Sequence, residues 1–598
     1  MAELVWEGKY DAGGHRRAPL KAALPFQTVE TVNESAQQRQ HALDLYSASK
    51  DPEWRNRLIW GDKKYVLPSL LPEFAGRVDL VYIDPPFASG QDFSLPVRLN
   101  GDDFVKEPSL IEVKAYRDTW GKGLDSYLIW FADSVQYLYE LLSHNGSIYV
   151  HLDWHVGHYA KAILDEVFGQ DNFRNEIVWH YYNKFQGNVN RFASNHDVIF
   201  WYSKSDEYSF TPQKEKRPEG KVKQLRREWD SKEGKLVNTK DEQGHVVYQE
   251  TDERTADDVW RVPMLQPADR TENLGFPTQK RRSIVERIIR ASSREDDLVL
   301  DCFVGSGTTA EAAELLGRRW IACDLSRFSV HTTRKRLLRV ENVTPFEVQN
   351  LGKYERQLWQ ESEFGSDAEA RTVAYRKLIL DLYKATSLEG SAWIHGVKSG
   401  AMVHVGSVDA PVTMSDVTNI IVEASRAVGP AKGNPAAIDV LGWDFAFEVH
   451  EVASQKAAEA NISLHFVRIP REVLDKRAVE QGDVLFFELA ALAVNASVKK
   501  QTVTLKLTNF VIPVDDVPED VQNRIKKWSE WIDYWAVDWD NKGDAFHNEW
   551  QAFRSRHNEK LDVQTSHAYS APGTYRIVVK VIDILGNDTT KTIVIEVN

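Results

Sequence analysis

Between Arg57 and Asp324, short apolar runs end again and again on a carboxylate. "RLIWGD" closes on Asp62, "VDLVYID" on Asp84, "GSIYVHLD" on Asp153, "LVLD" on Asp301, and the run after Gly317 on Asp324. "NEIVWHYYN" and "HDVIFWYSK" read as two further strands. Amphipathic helices are interleaved with them. Val156, Tyr159, Ala160, Ile163, Leu164 and Val167 recur at three- and four-residue steps, one face of a helix that stops at Gly169. Continuous apolar strands cannot leave a face in water, so this alternation predicts an α/β fold with a doubly wound, mostly parallel sheet covered on both sides.

The rhythm is confined to part of the 598 residues. Residues 1–50 are polar and read as an N-terminal arm. The repeating domain occupies 51–340 and is interrupted at 205–272 by a charged insertion. That insertion carries a basic island, "KEKRPEGKVKQLRREW", in a chain of net charge −14. A helical connector and a second α/β region are expected over 341–500. Period-two strands such as "TYRIVVKVID" predict a β-sandwich over 501–598. An apolar content of 42% with 19 Trp is ample for buried cores. Two cysteines, Cys302 and Cys323, argue against a disulfide scaffold. With no apolar run near the ~18 residues of a spanning helix, the expected setting is the cytoplasm, away from membranes.

Two segments carry chemistry. In "LVLDCFVGSGTTAEAAELLGRRWIACDLS" a strand ends at Asp301 and turns through Gly305-Ser306-Gly307 into a helix near Thr308. A second strand ends 23 residues beyond Asp301, at Asp324. Glycines let a ligand approach the backbone, and an acid at that spacing accepts hydrogen bonds from ribose hydroxyls. A phosphate loop needs Lys after the glycines, where Thr308-Thr309 stand. A dinucleotide turn needs a third glycine, where Ala310 stands. The pattern suits a nucleoside without a diphosphate, such as S-adenosylmethionine. Taken alone, such a turn is no more than a tight strand-to-helix connection.

The other segment is "DPPF", Asp84 to Phe87. Pro85 and Pro86 have no N–H, so with the Asp84 carboxylate the loop offers acceptors only. Its natural partner is an –NH2 group, such as the exocyclic amine of a nucleobase, with Phe87 as a stacking face. Two acceptors on the amine hydrogens favour the geometry that localises the nitrogen lone pair toward a methyl sulfonium. An ordinary Pro-Pro turn is the bland alternative. Both segments follow strands, however, which puts them at one carboxyl edge of the sheet.

At these residues the chain resembles the amino-group DNA methyltransferases. The tetrapeptide precedes the glycine turn by 217 residues, the order of the circularly permuted β class with its Rossmann-like sheet. The resemblance spans about 51–340. It includes "FPTQKRRSIVERII" and is strongest to the modification subunits of type III restriction systems and related adenine N6 enzymes. It implies that Asp84, Pro85, Pro86 and Phe87 are catalytic. It also implies that Asp301, Phe303, Gly305, Gly307 and Thr308 line the cofactor, S-adenosyl-L-methionine, and that Asp324 holds its ribose. Thr278 and Lys280 would approach the cofactor's carboxylate, and Asp62 its adenine. Cys302, Val304 and Arg281 depart from the usual pattern.

The implied reaction is methyl transfer to adenine N6 in double-stranded DNA, in a restriction–modification or phage-defence setting. Cytosine N4, RNA adenine and a non-catalytic DNA-binding scaffold are the alternatives. The implied partners are double-stranded DNA, a second copy of the chain, and a separate restriction subunit with helicase and nuclease activity. The insertion would be the target-recognition region. Trp179, Tyr181 and Tyr182 are candidates to support a flipped base, although aromatics beside a strand are commonly core. His151, His155 and His158 lack a fourth ligand for zinc, and no metal is expected. Asp439, Asp444 and Glu448 read as surface or capping residues. The C-terminal segment is similar to PKD-like sandwiches, which mediate contacts.

Overall fold

The computed structural model describes residues 3–34, 54–86, 123–183, 190, 192–217, 220–231, 234–269, 271–276, 278–428, 435–446, 453, 456–482, 484–513, 522–523, 525–543, 545–555 and 560–598. At 95–99 and 102–106 it describes the backbone alone.

Eleven strands form one sheet. In chain order its elements are β1 (Gln27–Val32), β2 (Asn56–Trp60), α1 (Lys63–Phe74), β3 (Val78–Ile83), α2 (Leu124–Leu141) and β4 (Leu142–Leu152). These are followed by α3 (Gly157–Phe168), β5 (Phe173–His180), β6 (His196–Ser203), β7 (Val259–Arg261), α4 (Arg282–Ser292) and β8 (Leu298–Asp301). The set closes with α5 (Thr308–Leu315), β9 (Arg319–Asp324), α6 (Arg327–Leu337), β10 (Phe346–Asn350) and a late strand β11 (Phe546–Asn548). The strand order is β7-β5-β6-β4-β3-β8-β9-β2-β10-β1-β11. From β4 through β10 every neighbouring pair is parallel, while β6 is antiparallel to both β4 and β5.

The reason for the unbroken apolar strands is visible in β3. Val81 and Ile83 join the core on one face with Leu70, Phe131 and Ile163. Leu80 and Tyr82 join the other, with Ile284, Ile288 and Ala312. A strand buried on both sides has no polar face to offer. α4 is the complementary case. Ile284, Val285, Ile288 and Ile289 make one buried stripe, as a 3.6-residue repeat dictates, while Arg290 is exposed and Arg287 lies over the Trp260 ring.

The insertion is a long β-ribbon. Lys214–Lys216 pairs with Glu253–Thr255, Val222–Leu225 with Tyr248–Thr251, and Arg227–Asp230 with Lys235–Asn238, all antiparallel. Beyond β10, two helices (Gly352–Phe364 and Ala368–Leu382) lead to a six-stranded sheet centred on parallel strands Ala401–Val405, Ala436–Gly442 and Ile462–Arg468. The C-terminal sandwich packs Ala491–Lys499, Thr502–Val511 and Gln564–Ala568 against a four-stranded sheet. Its first hairpin therefore starts ahead of the division expected at residue 501. Among the described residues no helix is long and apolar enough to cross a membrane.

Residues 3–34 of the expected N-terminal arm are held against the domain. Leu4, Leu24 and Phe26 pack on the core, Lys9 donates to Glu166 and to the Leu4 carbonyl, and β1 lies between β10 and β11. Glu30 on β1 is fully buried, with Lys580 of the sandwich at 2.7 Å and Arg334 of α6 at 3.1 Å. Burial by itself would raise this carboxyl, but the two cations hold it below its ordinary value. Breaking a buried pair leaves an uncompensated charge. Lys580→Met is therefore expected to destabilise the protein by about 3 kcal/mol, read as a lower thermal midpoint, and Glu30→Gln in the same chain should recover part of it.

Candidate functional site

Parallel register brings the site together. Leu300 lies beside Val81, Asp301 beside Ala322, and Asp324 beside Trp60. The carboxyl ends of β3, β8, β9 and β2 thus adjoin, and each is followed or closed by an aspartate. Asp62, Asp84, Pro85, Pro86, Thr278, Lys280, Asp301, Phe303, Gly305, Thr308 and Asp324 all line one cavity of about 420 Å³. That volume is in the range of small-molecule sites. Phe87 lies outside the described residues.

The glycine turn is built by its backbone. Gly305 and Gly307 have φ of +51° and +82°, a left-handed conformation that costs glycine little. The two differ in role. Gly307 does not line the cavity. A Cβ there would meet Thr333 of α6 at 2.9 Å, so this glycine serves close packing behind the turn. Thr333 also donates to the Gly305 carbonyl. The buried Arg336 donates to Thr308 Oγ1 at 2.8 Å and pairs with Glu311 at 2.8 Å. α6 therefore holds the turn from behind.

Asp324 accepts the backbone N–H of Gly305 through one oxygen and that of Ser326 through the other, both at 2.9 Å. Asp301 accepts from Phe303 N. Burial pushes Asp301 up to about 7 and Asp324 up to about 6. Asp62 caps α1 by accepting from Lys64 N, which leaves its second oxygen for the cavity. Thr278 has φ +61°, a left-handed backbone that costs a β-branched residue about 1–3 kcal/mol. Such a conformation persists only where its surroundings impose it.

Lys280 donates to Asp84 Oδ2 at 2.5 Å. The other oxygen, Asp84 Oδ1, is buried with no hydrogen-bond partner among the described residues. An ionised carboxylate oxygen left this way is costly unless a ligand donor meets it. Beneath it, the Tyr82 hydroxyl contacts His151 Nδ1 at 3.0 Å, and His151 Nε2 contacts Asp197 at 3.3 Å. The Tyr181 hydroxyl also donates to Asp197. His151 is thus engaged at both nitrogens in the core, while His155 pairs with Asp153. Trp179 is 2% exposed and donates to the Val262 carbonyl. It and the buried Tyr181 are core residues, whereas Tyr182 is exposed.

Several lining residues escaped the sequence. Arg17 and Leu20 of the N-terminal segment reach the cavity, as do Lys63, Trp130, Asp133 and Tyr137. Lys63 sits 3.9 Å over the Trp130 ring and donates to the Trp130 carbonyl, and burial brings its ammonium down to about 8. The Leu20 carbonyl accepts from the Tyr137 hydroxyl. In the second α/β region, Asp439 accepts from Tyr383 and contacts His465, and Asp444 pairs with Arg356. Glu448 lies outside the described residues.

Residues 78–335 match the family described as DNA methylase (N6_N4_Mtase), a segment that contains both Asp84 and the glycine turn. The chain is 28% identical over 330 residues to the type II methyltransferase M.EcaI of Enterobacter cloacae, covering 47% of this chain and 69% of that one. It is 28% identical over 215 residues to the EcoP15I Mod subunit, a type III restriction-modification enzyme of Escherichia coli. There it covers 34% of this chain and spans 30% of the Mod subunit's length. The solved structure of the M1.HpyAVI–SAM complex is 20% identical at a TM-score of 0.30, over 47% of this chain and 98% of that one.

The two raised carboxyls fix a pH dependence. Both fold with pKa values above the ordinary 3.8, so the folded state keeps protons that the unfolded chain releases. Their contribution to stability is present below about pH 4 and is lost as the pH climbs through 6 to 7. The ligand-free protein should unfold at lower denaturant at pH 8 than at pH 5, and Asp301→Asn should flatten that difference.

Proposed function

We propose that this N6/N4 DNA methylase domain transfers a methyl group from S-adenosylmethionine to the N6 amine of adenine in double-stranded DNA. The observation that carries the reading is the buried Asp84 Oδ1, without a hydrogen-bond partner among the described residues, at the head of the donor-free Pro85-Pro86 pair on the wall of the cavity that also holds the glycine turn.

The residues present fit the cofactor. Asp324 offers lone pairs to ribose hydroxyls, Asp301 and Asp62 offer acceptors on either side, and Phe303 and Trp130, with ring centroids 5.3 Å apart, supply apolar surface. When bound, S-adenosylmethionine supplies a methyl carbon on a positively charged sulfur. The base amine donates its two hydrogens to acceptors of the Asp84–Pro85 loop. Its nitrogen lone pair, so freed from the ring, takes the methyl carbon as the carbon–sulfur bond breaks and its electron pair stays on sulfur. The surplus proton on nitrogen passes to Asp84. Removing an electrostatic partner of this kind costs about 100- to 1,000-fold in rate. Asp84→Ala is therefore expected to slow labelled methyl transfer by at least about 100-fold while calorimetry still reports cofactor binding. Nucleoside analysis of the product reads the base, and N4-methylcytosine in place of N6-methyladenine would overturn the adenine assignment.

The ribbon supports the DNA assignment. Trp229 and Leu236 face each other across it and are 64% and 60% exposed, and Tyr248, 60% exposed, lies opposite Leu225. Lys223, Arg226 and Arg227 flank them. A two-stranded ribbon of this width is admitted by the major groove, and its cations meet phosphates. Replacing Arg226 and Arg227 together with Ala should lower the slope of log affinity against log salt by about 2, near 1 per contact. The likeness to a Mod subunit supports a restriction–modification setting with a separate restriction subunit. Assembly as a homodimer is proposed on the original resemblance alone.

A further inference from the structure

Lys280 occupies an unusual place in the cavity wall. Its side chain reaches Asp84 across 196 positions of sequence, and its backbone carbonyl accepts from Thr308 Oγ1 at 3.4 Å. Thr308 opens α5 directly after the glycine turn and is itself held by Arg336. One residue therefore ties the half of the cavity built on β3 to the half built on β8. Both partners are well buried, with side-chain exposures of 9% for Lys280 and 17% for Asp84. At such a depth a carboxylate and an ammonium are stable mainly as a pair.

The pairing is also directional. Lys280 takes Oδ2 and leaves Oδ1 as the one Asp84 oxygen without a partner among the described residues. A carboxylate pivots about a broad, two-fold χ2 well. With nothing on Oδ2, either oxygen could turn toward the cavity, or the group could turn away to find another donor.

We propose that Lys280 is the positioning residue of the transfer reaction: by anchoring Asp84 Oδ2 it aims Oδ1 at the base amine. This rests on the methyl-transfer reading above and extends it to a residue that the resemblance assigns to the cofactor's carboxylate instead. The two roles differ in what they predict. A carboxylate-binding lysine lowers the cofactor KM and leaves the rate at saturation alone. A lysine that aims Asp84 acts on the saturated rate and leaves cofactor affinity alone. A displacement of about 1 Å at a reacting group costs on the order of 100-fold, so that is the size of effect expected.

The test is carried out on the full chain. With cofactor and DNA both saturating, Lys280→Met should transfer methyl groups about 100-fold more slowly in a single turnover. Its cofactor dissociation constant should stay within about threefold of the wild type (a change under about 0.7 kcal/mol). Lys280→Arg, which keeps the charge and two or more donors, should restore much of the rate.

A second measurement needs no activity. Lys280→Met should lower the thermal midpoint of the ligand-free protein by leaving Asp84 unpaired, and Asp84→Asn combined with Lys280→Met should regain most of that loss. Two results would overturn the proposal: a wild-type single-turnover rate in Lys280→Met, or a loss of rate that rising cofactor concentration repairs. The absence of coupling in the thermal cycle would overturn the pairing itself, and this arm is read even if Lys280→Met is too unstable to assay. Should the wild-type protein methylate no DNA while the cycle still shows coupling, it is the methyl-transfer reading that fails and not the pairing.

Discussion

Four adjacent strands that run the same way and end at the same edge impose the central constraint on this molecule. Each delivers an aspartate to one rim, so four strand-end carboxylates, with Asp133 of α2 beside them, share a cavity partly shut off from water. Like charges in such a place repel, and burial penalises each of them. The consequences are visible in the raised Asp301 and Asp324, in the backbone N–H groups that converge on Asp324, and in the ammonium of Lys280 laid against Asp84. A site that concentrates acceptors in this way is suited to a ligand rich in donors and carrying positive charge. Ribose hydroxyls, an exocyclic amine and a sulfonium answer to that description.

The elements that form this rim were legible because they obey local rules. A strand covered on both faces must be apolar throughout, and the runs closing on Asp62, Asp84, Asp301 and Asp324 announce themselves for that reason. A helix on a sheet must show one apolar stripe, as α3 and α4 do. The turn between β8 and α5 was readable from its glycines, but not the division of labour within it. Gly305 and Gly307 look alike in sequence, and only the neighbouring Thr333 shows that the second packs against α6.

What escaped was set by contacts between distant parts of the chain. Nothing in "QTVETV" marks Glu30 as a buried residue, because its partner Lys580 lies 550 positions away. Arg17 and Leu20 sit in a polar, aperiodic segment and reach the cavity only because Leu4, Leu24 and Phe26 pin that segment to the core. Trp179 and Tyr181 left two readings open in the sequence, base support or core. Aromatic character suggested a base-stacking role, whereas Trp179 spends its indole N–H on Val262 and Tyr181 its hydroxyl on Asp197.

β1 has its outer edge covered by β11, residues 546–548, although every other strand of the sheet lies within the first 350 residues. During synthesis that edge must wait for 198 more residues after the end of β10, roughly 10–40 s at a ribosome speed of 5–20 residues per second. Through that interval the nascent sheet presents an unpaired rim of the sort that recruits stray strands. Glu30 meanwhile has only one of the two cations that surround it at the end. β11 and Lys580 thus act as the lock on β1, and a polypeptide whose translation stops before residue 546 carries a sheet that is left ajar.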